Sequence, residues 1–245
     1  MSQKAGESAQ SVMAALSRVS DDASKAGSAE ISVTVTSPDT GGKPVQMKGF
    51  YTWGDGVAME TEMAAKEIGM EPLVADGTVT ARLVDGTYYY GVDPVASGPF
   101  EGKTWLKVEA SAVLGEKGAA GMNSVNGDPT AGLKTLKYAK DVTTVATESV
   151  NGKNAVHYRA TVPAGQVASD AADMQKNLGL QGEIVTDIWI DDNGAPARLD
   201  QSGGNVSMSM EFLSFGANRT VEAPPAADTA DMTEFIKKQK QGGTA

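Results

Sequence analysis

The chain has 245 residues, a length that suits one large domain or two small ones. Acidic residues outnumber basic ones by 31 to 21, and the net charge of -10 argues against a nucleic-acid-binding protein and against electrostatic docking on an anionic membrane. Cysteine is absent and histidine occurs once, which excludes disulfides, cysteine nucleophiles and any metal site with two imidazole ligands.

The chain begins with a polar stretch, 1–7, that we predict to be disordered, and the natural N-terminus is expected to lie upstream of it. A helix is predicted over 8–21, where Val12, Leu16 and Val19 form one apolar stripe. Residues 8–239 are predicted to form a single domain, and 240–245 a disordered tail.

Alternation of apolar and polar residues with period two dominates the rest of the chain, and this pattern is typical of strands with one buried face. The segments Asp85-Gly86, Asn151-Gly152 and Asn193-Gly194 are expected to be type I′ hairpin turns, because both central residues of that turn need a positive φ. Another turn is expected at 54–56. The predicted strands are 29–37, 45–53, 57–63, 78–84, 87–92, 103–109, 142–150, 153–162, 184–191, 196–202 and 205–215.

Three more helices are predicted, over 129–139, 164–178 and 228–239. The one over 164–178 has the clearest apolar stripe, formed by Val167, Ala171, Met174 and Leu178. Together the elements predict an α+β fold: a large antiparallel sheet of about eleven strands that curls into a half-barrel, closed on one side by amphipathic helices.

The sequence offers little catalytic chemistry. His157 lies in an alternating strand, opposite Val156 and Tyr158, and we interpret it as an exposed strand histidine because no nucleophile elbow accompanies it. Phosphate-binding glycine loops are absent from the sequence. Glu60 and Glu62 are expected on the polar face of a strand. The alternative is that these two carboxylates form the catalytic pair of a glycosidase. The sequence predicts no catalytic residue, no metal site and no cofactor.

Methionine is unusually frequent on the predicted apolar strand faces, where flexible side chains suit a variable apolar partner. Ordinary core packing is the alternative. We predict an internal cavity whose lining, subject to the register of each strand, is Ile31, Val33, Val35, Met47, Tyr51, Trp53, Met59, Met63, Val167, Met174, Leu178, Met208, Met210 and Phe212.

Several motifs resemble those of one protein family. They are the stretch 126–164, with its Asp-Pro helix start, its ESVNG strand and its ATVPA close, and the paired strands DIWIDDNGAPARLD at 187–200. The strand start Gly102-Lys103-Thr104-Trp105 and the terminal strand 205–215 followed by Ala-Pro-Pro agree with them. Together they resemble the LppX/LprA/LprG group of actinobacterial lipoproteins.

This resemblance implies a fold like that of the LolA and LolB lipoprotein carriers, a half-barrel around a hydrophobic cavity. It also implies an exported protein, held on the cell membrane by an acylated N-terminal cysteine missing from this chain, that binds a lipid or another hydrophobic ligand. No catalytic residue follows from it. We expect a monomer without nucleic-acid partners. The competing hypothesis is a ligand-free lipoprotein that contacts a membrane protein.

Overall fold

The computed structural model describes residues 9–53, 56–113, 115–116, 119, 129–130, 141–163 and 181–242. Helix α1 spans Ala9–Ala26 and helix α2 spans Thr233–Gly242. Twelve strands lie in the described residues: β1 Ser28–Thr36, β2 Pro44–Thr52, β3 Ala58–Ala64, β4 Thr78–Val84, β5 Thr87–Gly91, β6 Trp105–Glu109, β7 Asp141–Val150, β8 Lys153–Val162, β9 Ile184–Asp191, β10 Pro196–Gly203, β11 Val206–Phe215 and β12 Thr229–Asp231.

All twelve strands belong to one sheet, in the order β12-β6-β5-β4-β3-β2-β1-β11-β10-β9-β8-β7. The sheet is curled but not closed, and every pair is antiparallel except β12 with β6. The predicted large curled half-barrel sheet of about eleven strands is therefore confirmed, and the structure adds a twelfth strand, β12, whose parallel pairing with β6 makes the sheet mixed. The missed strand, β12, has three residues, too few for a period-two pattern, and lies inside the predicted helix 228–239.

Two of the predicted turns are confirmed. Asp85 and Asn151 have φ values of 48° and 51°, and the φ angle of the glycine that follows each of them is also positive. The third is not a type I′ turn, because Asn193 does not have a positive φ. There the buried Asp191 carboxylate accepts the N–H groups of Asn193 and Ala195 and holds a longer loop, which is followed by a register shift between Pro196 and Arg198.

The sheet has an inner face, on which α1 packs, and an outer face. Val12, Leu16 and Val19 of α1 are buried in the same apolar cluster as Ile31 and Val33 of β1, so the predicted stripe is confirmed. The helix continues to Ala26, five residues beyond the predicted end. Near that end the Trp53 indole donates a hydrogen bond to the Ala23 carbonyl oxygen at 3.1 Å, which joins α1 to the end of β2.

A second inner cluster forms where the chain after β3 folds back over β3 to β5. Ala65 and Val74 of this connection pack with Met63, Val79 and Ala81 of the strands. Among the described residues, the inner face therefore has two separate covers, α1 over its β1 and β8–β11 half and the segment 65–74 over its β3–β5 half. Met47 contacts both clusters.

The remaining helix predictions have mixed outcomes. Helix α2 begins at Thr233, five residues after the predicted start, because β12 precedes it and the Asp231 carboxylate accepts the Thr233 N–H. It continues to Gly242, into the range predicted as tail. The predicted N-terminal stretch 1–7 and the helix 164–178 lie outside the described residues, as does all but the first two residues of 129–139. None of the helices in the described ranges is long and apolar enough to cross a membrane.

Candidate functional site on the inner face

The structure describes eleven of the predicted lining residues, and all eleven lie on the inner face. Five are buried there: Ile31, Val33, Trp53, Met63 and Phe212. The other six are half-buried: Val35, Met47, Tyr51, Met59, Met208 and Met210. The three helix residues of the set, Val167, Met174 and Leu178, lie outside the described residues. Contact of any of them with a ligand stays a prediction.

Cross-strand pairing arranges these side chains in three parallel rows. The methionine row runs through Met210, Val33, Met47, Met63 and Val79. The small row runs through Phe212, Ile31, Gly49, Thr61, Ala81 and Tyr90. The aromatic row runs through Ala29, Tyr51, Met59, Leu83 and Tyr88.

The small row marks a tight approach between two strands. A Cβ atom built on Gly49 would lie 1.9 Å from the Glu60 carbonyl oxygen and 2.7 Å from the Thr61 Cα, so no residue with a side chain fits there. Thr61 and Ala81 continue the row with short side chains. The side chains of β2, β3 and β4 are therefore short in the row between the methionine row and the aromatic row.

The inner face of the described strands carries no charged side chain. Pairing assigns every Asp, Glu, Lys and Arg of the twelve described strands to the outer face or to a turn. Charged residues make up 21% of the chain, so their confinement to one side of the described sheet is a strong asymmetry between its two faces. Because the inner residues between the two covers are only half-buried, the described face combines low polarity with partial exposure.

Tyr88 and Tyr90 belong to this face and were missed from the sequence. Their rings stack with centroids 6.4 Å apart, and burial raises the pKa of Tyr88 and, with help from Tyr88, that of Tyr90 to about 12. β5 contains three consecutive tyrosines, so tyrosine occurs on both of its faces and the strand shows no alternation of apolar and polar residues. The Asp85-Gly86 turn could have revealed which tyrosines face inward, because that hairpin pairs Leu83 with Tyr88.

A cleft of about 750 Å³ lies at the rim of the sheet, between the segment 216–221 and the outer-face residues Thr52, Ala58 and Val84. Trp53 belongs both to this cleft and to the inner cluster, where its ring lies 5.6 Å from that of Tyr51. Ser28, Thr52, Asp85 and the segment 216–221 also line the cleft, and they give it a more polar wall than the inner face.

The candidate catalytic groups of the sequence all lie on the outer face. His157 is buried there, which corrects the prediction that it is exposed. Its Nε2 lies 2.6 Å from Asp187 Oδ1 and its Nδ1 lies 3.3 Å from Glu148 Oε1, so both ring nitrogens face carboxylates. The burial of His157 comes from Trp189, its cross-strand partner, whose large ring covers it. Alternation alone could not predict this, because it does not show which outer-face residues lie next to one another.

Glu60 and Glu62 lie on the outer face, as predicted. Glu60 forms ion pairs with Arg82, at 2.6 Å, and with Arg219, whereas Glu62 is exposed. Both guanidinium groups hold the Glu60 carboxylate in ion pairs, whereas the general acid of a glycosidase pair has to donate a proton to the leaving group. Among the described residues, no three His, Asp or Glu side chains are placed to hold a metal ion.

No family model matches the chain. Two Streptomyces proteins are similar in sequence. An uncharacterized 31.2 kDa protein of Streptomyces griseus, from the rplA-rplJ intergenic region, is 29% identical over 95% of this chain and 82% of its own length. A candidate lipoprotein of Streptomyces coelicolor is 25% identical over 92% of this chain and 76% of its own length.

Two solved structures have a similar fold. The lipoprotein LppX of Mycobacterium tuberculosis matches 88% of this chain and its own whole length, with a TM-score of 0.59 and 15% identity. LprF of Mycobacterium bovis matches 91% of this chain and its own whole length, with a TM-score of 0.55 and 12% identity. The resemblance predicted from the motifs is confirmed: the chain has the LppX type of fold.

Proposed function

We propose that this chain is the envelope domain of an exported lipoprotein, and that it holds a lipid or another hydrophobic ligand on its inner face for transport or retention. The observation that carries the proposal is the inner face of the described strands, which has no charged side chain and is only half-buried at Met47, Met59, Met208 and Met210. The LppX type of fold and the lipoprotein name of the Streptomyces coelicolor relative support the cellular setting.

The energetics favour an acyl chain as the bound part. Each methylene removed from water contributes about 0.8 kcal/mol, so ten of them contribute about 8 kcal/mol. Ordering and association oppose this by several kcal/mol, which leaves about millimolar affinity for ten methylenes. The roughly sixteen methylenes of a long acyl chain contribute about 13 kcal/mol before these costs, which brings the affinity near the micromolar range without any specific hydrogen bond. Met47, Met59, Met208 and Met210 suit this task, because a flexible thioether chain can repack around acyl chains of different length.

The cleft at the rim suits the polar end of such a ligand. Trp53 belongs to both the cleft and the inner cluster, so a chain on the aromatic row would pass around the rim of the sheet at Trp53 to bring its polar end to Ser28 and Asp85. Catalysis is not part of the proposal, because the ring nitrogens of the single histidine both face carboxylates and two arginines hold the Glu60 carboxylate in ion pairs.

Mass spectrometry tests the proposal directly. The purified protein is measured under native and denaturing conditions, and its organic extract is analysed for released molecules. Acyl lipids of defined mass that leave only on denaturation are expected. A protein that is empty and also takes up neither a fluorescent fatty acid nor a fluorescent phospholipid would overturn the carrier function. It would leave the ligand-free interaction lipoprotein as the better hypothesis.

A further inference from the structure

The hydroxyl of Thr61 stands out on the inner face. Thr61 is 1% exposed, and its Oγ1 has no hydrogen-bond partner, the one such side-chain atom among the buried groups of the described residues. Burial of a hydroxyl without a partner disfavours the folded state. A residue of this kind in an apolar face is therefore a sign of a partner that is not part of the chain.

The neighbours of Thr61 in the small row have short side chains, and the row contains a second hydroxyl donor. Gly49 and Ala81 flank it in the small row, so no long side chain of that row stands beside its hydroxyl. Two strands further along lies Tyr90, whose hydroxyl forms no hydrogen bond with the described residues. Burial raises the pKa of Tyr90 to about 12, so this hydroxyl stays protonated at neutral pH and can donate.

The chemistry of the face restricts what these hydroxyls can bind. A free fatty acid brings a carboxylate, and the inner face of the described strands has no cation to balance it. A hydrocarbon brings no acceptor at all. An ester carbonyl is neutral, accepts one or two hydrogen bonds and is joined to acyl chains that fit the flanking methionine and aromatic rows.

We propose that the small row is a subsite for the ester carbonyl oxygens of an acylated lipid, with Thr61 and Tyr90 as the donors. This inference rests on the proposed function and narrows its ligand class to esters. A ligand has to displace the side chains that cover Thr61, and the adjacent half-buried Met47 and Met59 can move at little cost because each has three rotatable bonds.

A matched pair of ligands tests the subsite in the wild-type protein. Dioleoylglycerol carries two ester carbonyls, whereas dioleylglycerol ether has the same chains without them. We expect the ester to bind about threefold to tenfold more tightly, as one hydrogen bond in an apolar site allows. Equal and measurable affinities would overturn the subsite but keep the carrier function. Failure of both ligands to bind would overturn the subsite, and the uptake of a fluorescent fatty acid or phospholipid then decides separately whether the carrier function stands.

Two variants separate binding from folding. Thr61→Val keeps the shape but removes the hydroxyl, and we expect it to abolish most of the ester preference while the melting temperature stays equal or rises. Tyr90→Phe should reduce the preference less. The outer-face variants Thr80→Val and Tyr89→Phe are the controls and should leave it unchanged. A lower melting temperature of Thr61→Val, or an unchanged ester preference in both inner variants, would overturn the subsite.

Discussion

The imidazole of His157 stacks on the indole of Trp189, with ring centroids 4.1 Å apart and planes inclined by 17°. The Arg198 guanidinium also lies over this indole, 4.8 Å from its centroid, while pairing with Asp200 through two hydrogen bonds. Three neighbouring strands, β8 to β10, are thus joined through side chains of the outer face. The polar residues stabilise the sheet from outside, which leaves its inner face to apolar groups.

Glu148 extends this cluster to the edge strand β7, and it makes the cluster sensitive to acid. A hydrogen bond from the Trp189 indole, with a further contribution from His157, lowers the pKa of Glu148 below its ordinary value of 4.5. The folded protein therefore binds this proton more weakly than the unfolded chain does, and the stabilisation is present above pH 4.5 and disappears as the pH falls through the lowered value.

Glu148→Gln should consequently lower the free energy of unfolding at neutral pH, and its difference from the wild type should shrink steadily below pH 4.5. Urea unfolding at a series of pH values measures this. Glu62→Gln is the control, because Glu62 is exposed on the outer face of β3 and should give a small difference at every pH. A Glu148→Gln difference that does not change with pH would contradict the argument.

Strand alternation explains why much of the fold could be predicted. The bounds of β4, β8 and β9 agree with the predicted 78–84, 153–162 and 184–191, because one face of each strand is apolar and a tight turn or loop ends it. The same alternation assigned Met47, Met59 and Met210 to one face, although nothing in it shows whether a ligand or a helix covers them.

Features that depend on contacts between distant segments could not be predicted. β12 exists because Thr229, Ala230 and Asp231 lie beside β6, far away along the chain. The burial of His157 depends on Trp189, which lies 32 residues later in the sequence. The Thr61 hydroxyl has no hydrogen-bond partner, and this depends on which segments surround it in the folded chain. Local patterns contain no information on such contacts.

The segment 216–225 crosses the outer face of the sheet and is held there by Glu60. The Glu60 carboxylate forms ion pairs with Arg82 of β4 and with Arg219 of the segment, and Arg82 donates to the Glu222 carbonyl oxygen. Glu60→Gln should release Arg219, accelerate trypsin cleavage after it and lower the free energy of unfolding by about 1–2 kcal/mol.

Limited proteolysis followed by mass spectrometry locates that cleavage. Asp22→Asn provides the control, since the pair of Asp22 with Lys25 is exposed on α1 and contributes less than about 1 kcal/mol. If Arg219 is cleaved at the same rate in the wild type and in Glu60→Gln, the segment is held by its apolar contacts at Val221 instead.

A substitution at Gly49 tests the close approach of β2 and β3. Because an added Cβ would lie 1.9 Å from the backbone oxygen of Glu60, Gly49→Ala should force β2 and β3 apart and cost about 3 kcal/mol, the upper range for over-packing. In the control Gly91→Ala, the added atom meets its nearest neighbours at 3.4–3.5 Å, and the cost should be below about 1 kcal/mol. Equal costs in urea unfolding would show that the close approach at Gly49 relaxes freely.

Met210 distinguishes a binding face from a packed core. In a face that holds ligand, Met210→Trp should fill space in the methionine row, reduce lipid uptake severalfold and change the free energy of unfolding by less than about 1 kcal/mol. In a packed core the same substitution should cost about 1–3 kcal/mol through over-packing. Leu213→Trp is the matched control on the same strand, because Leu213 is 43% exposed and lies off the inner face.

Met59→Trp repeats the test on the opposite half of the sheet, between Tyr51 and Leu83 of the aromatic row. Uptake of a fluorescent phospholipid and urea unfolding are measured on the same samples. We expect Met210→Trp and Met59→Trp to lose lipid uptake and to keep their stability. Leu213→Trp should match the wild type in both measurements. A large loss of stability at both methionines would instead mean that these half-buried side chains pack against the chain itself, with no space that a ligand could occupy.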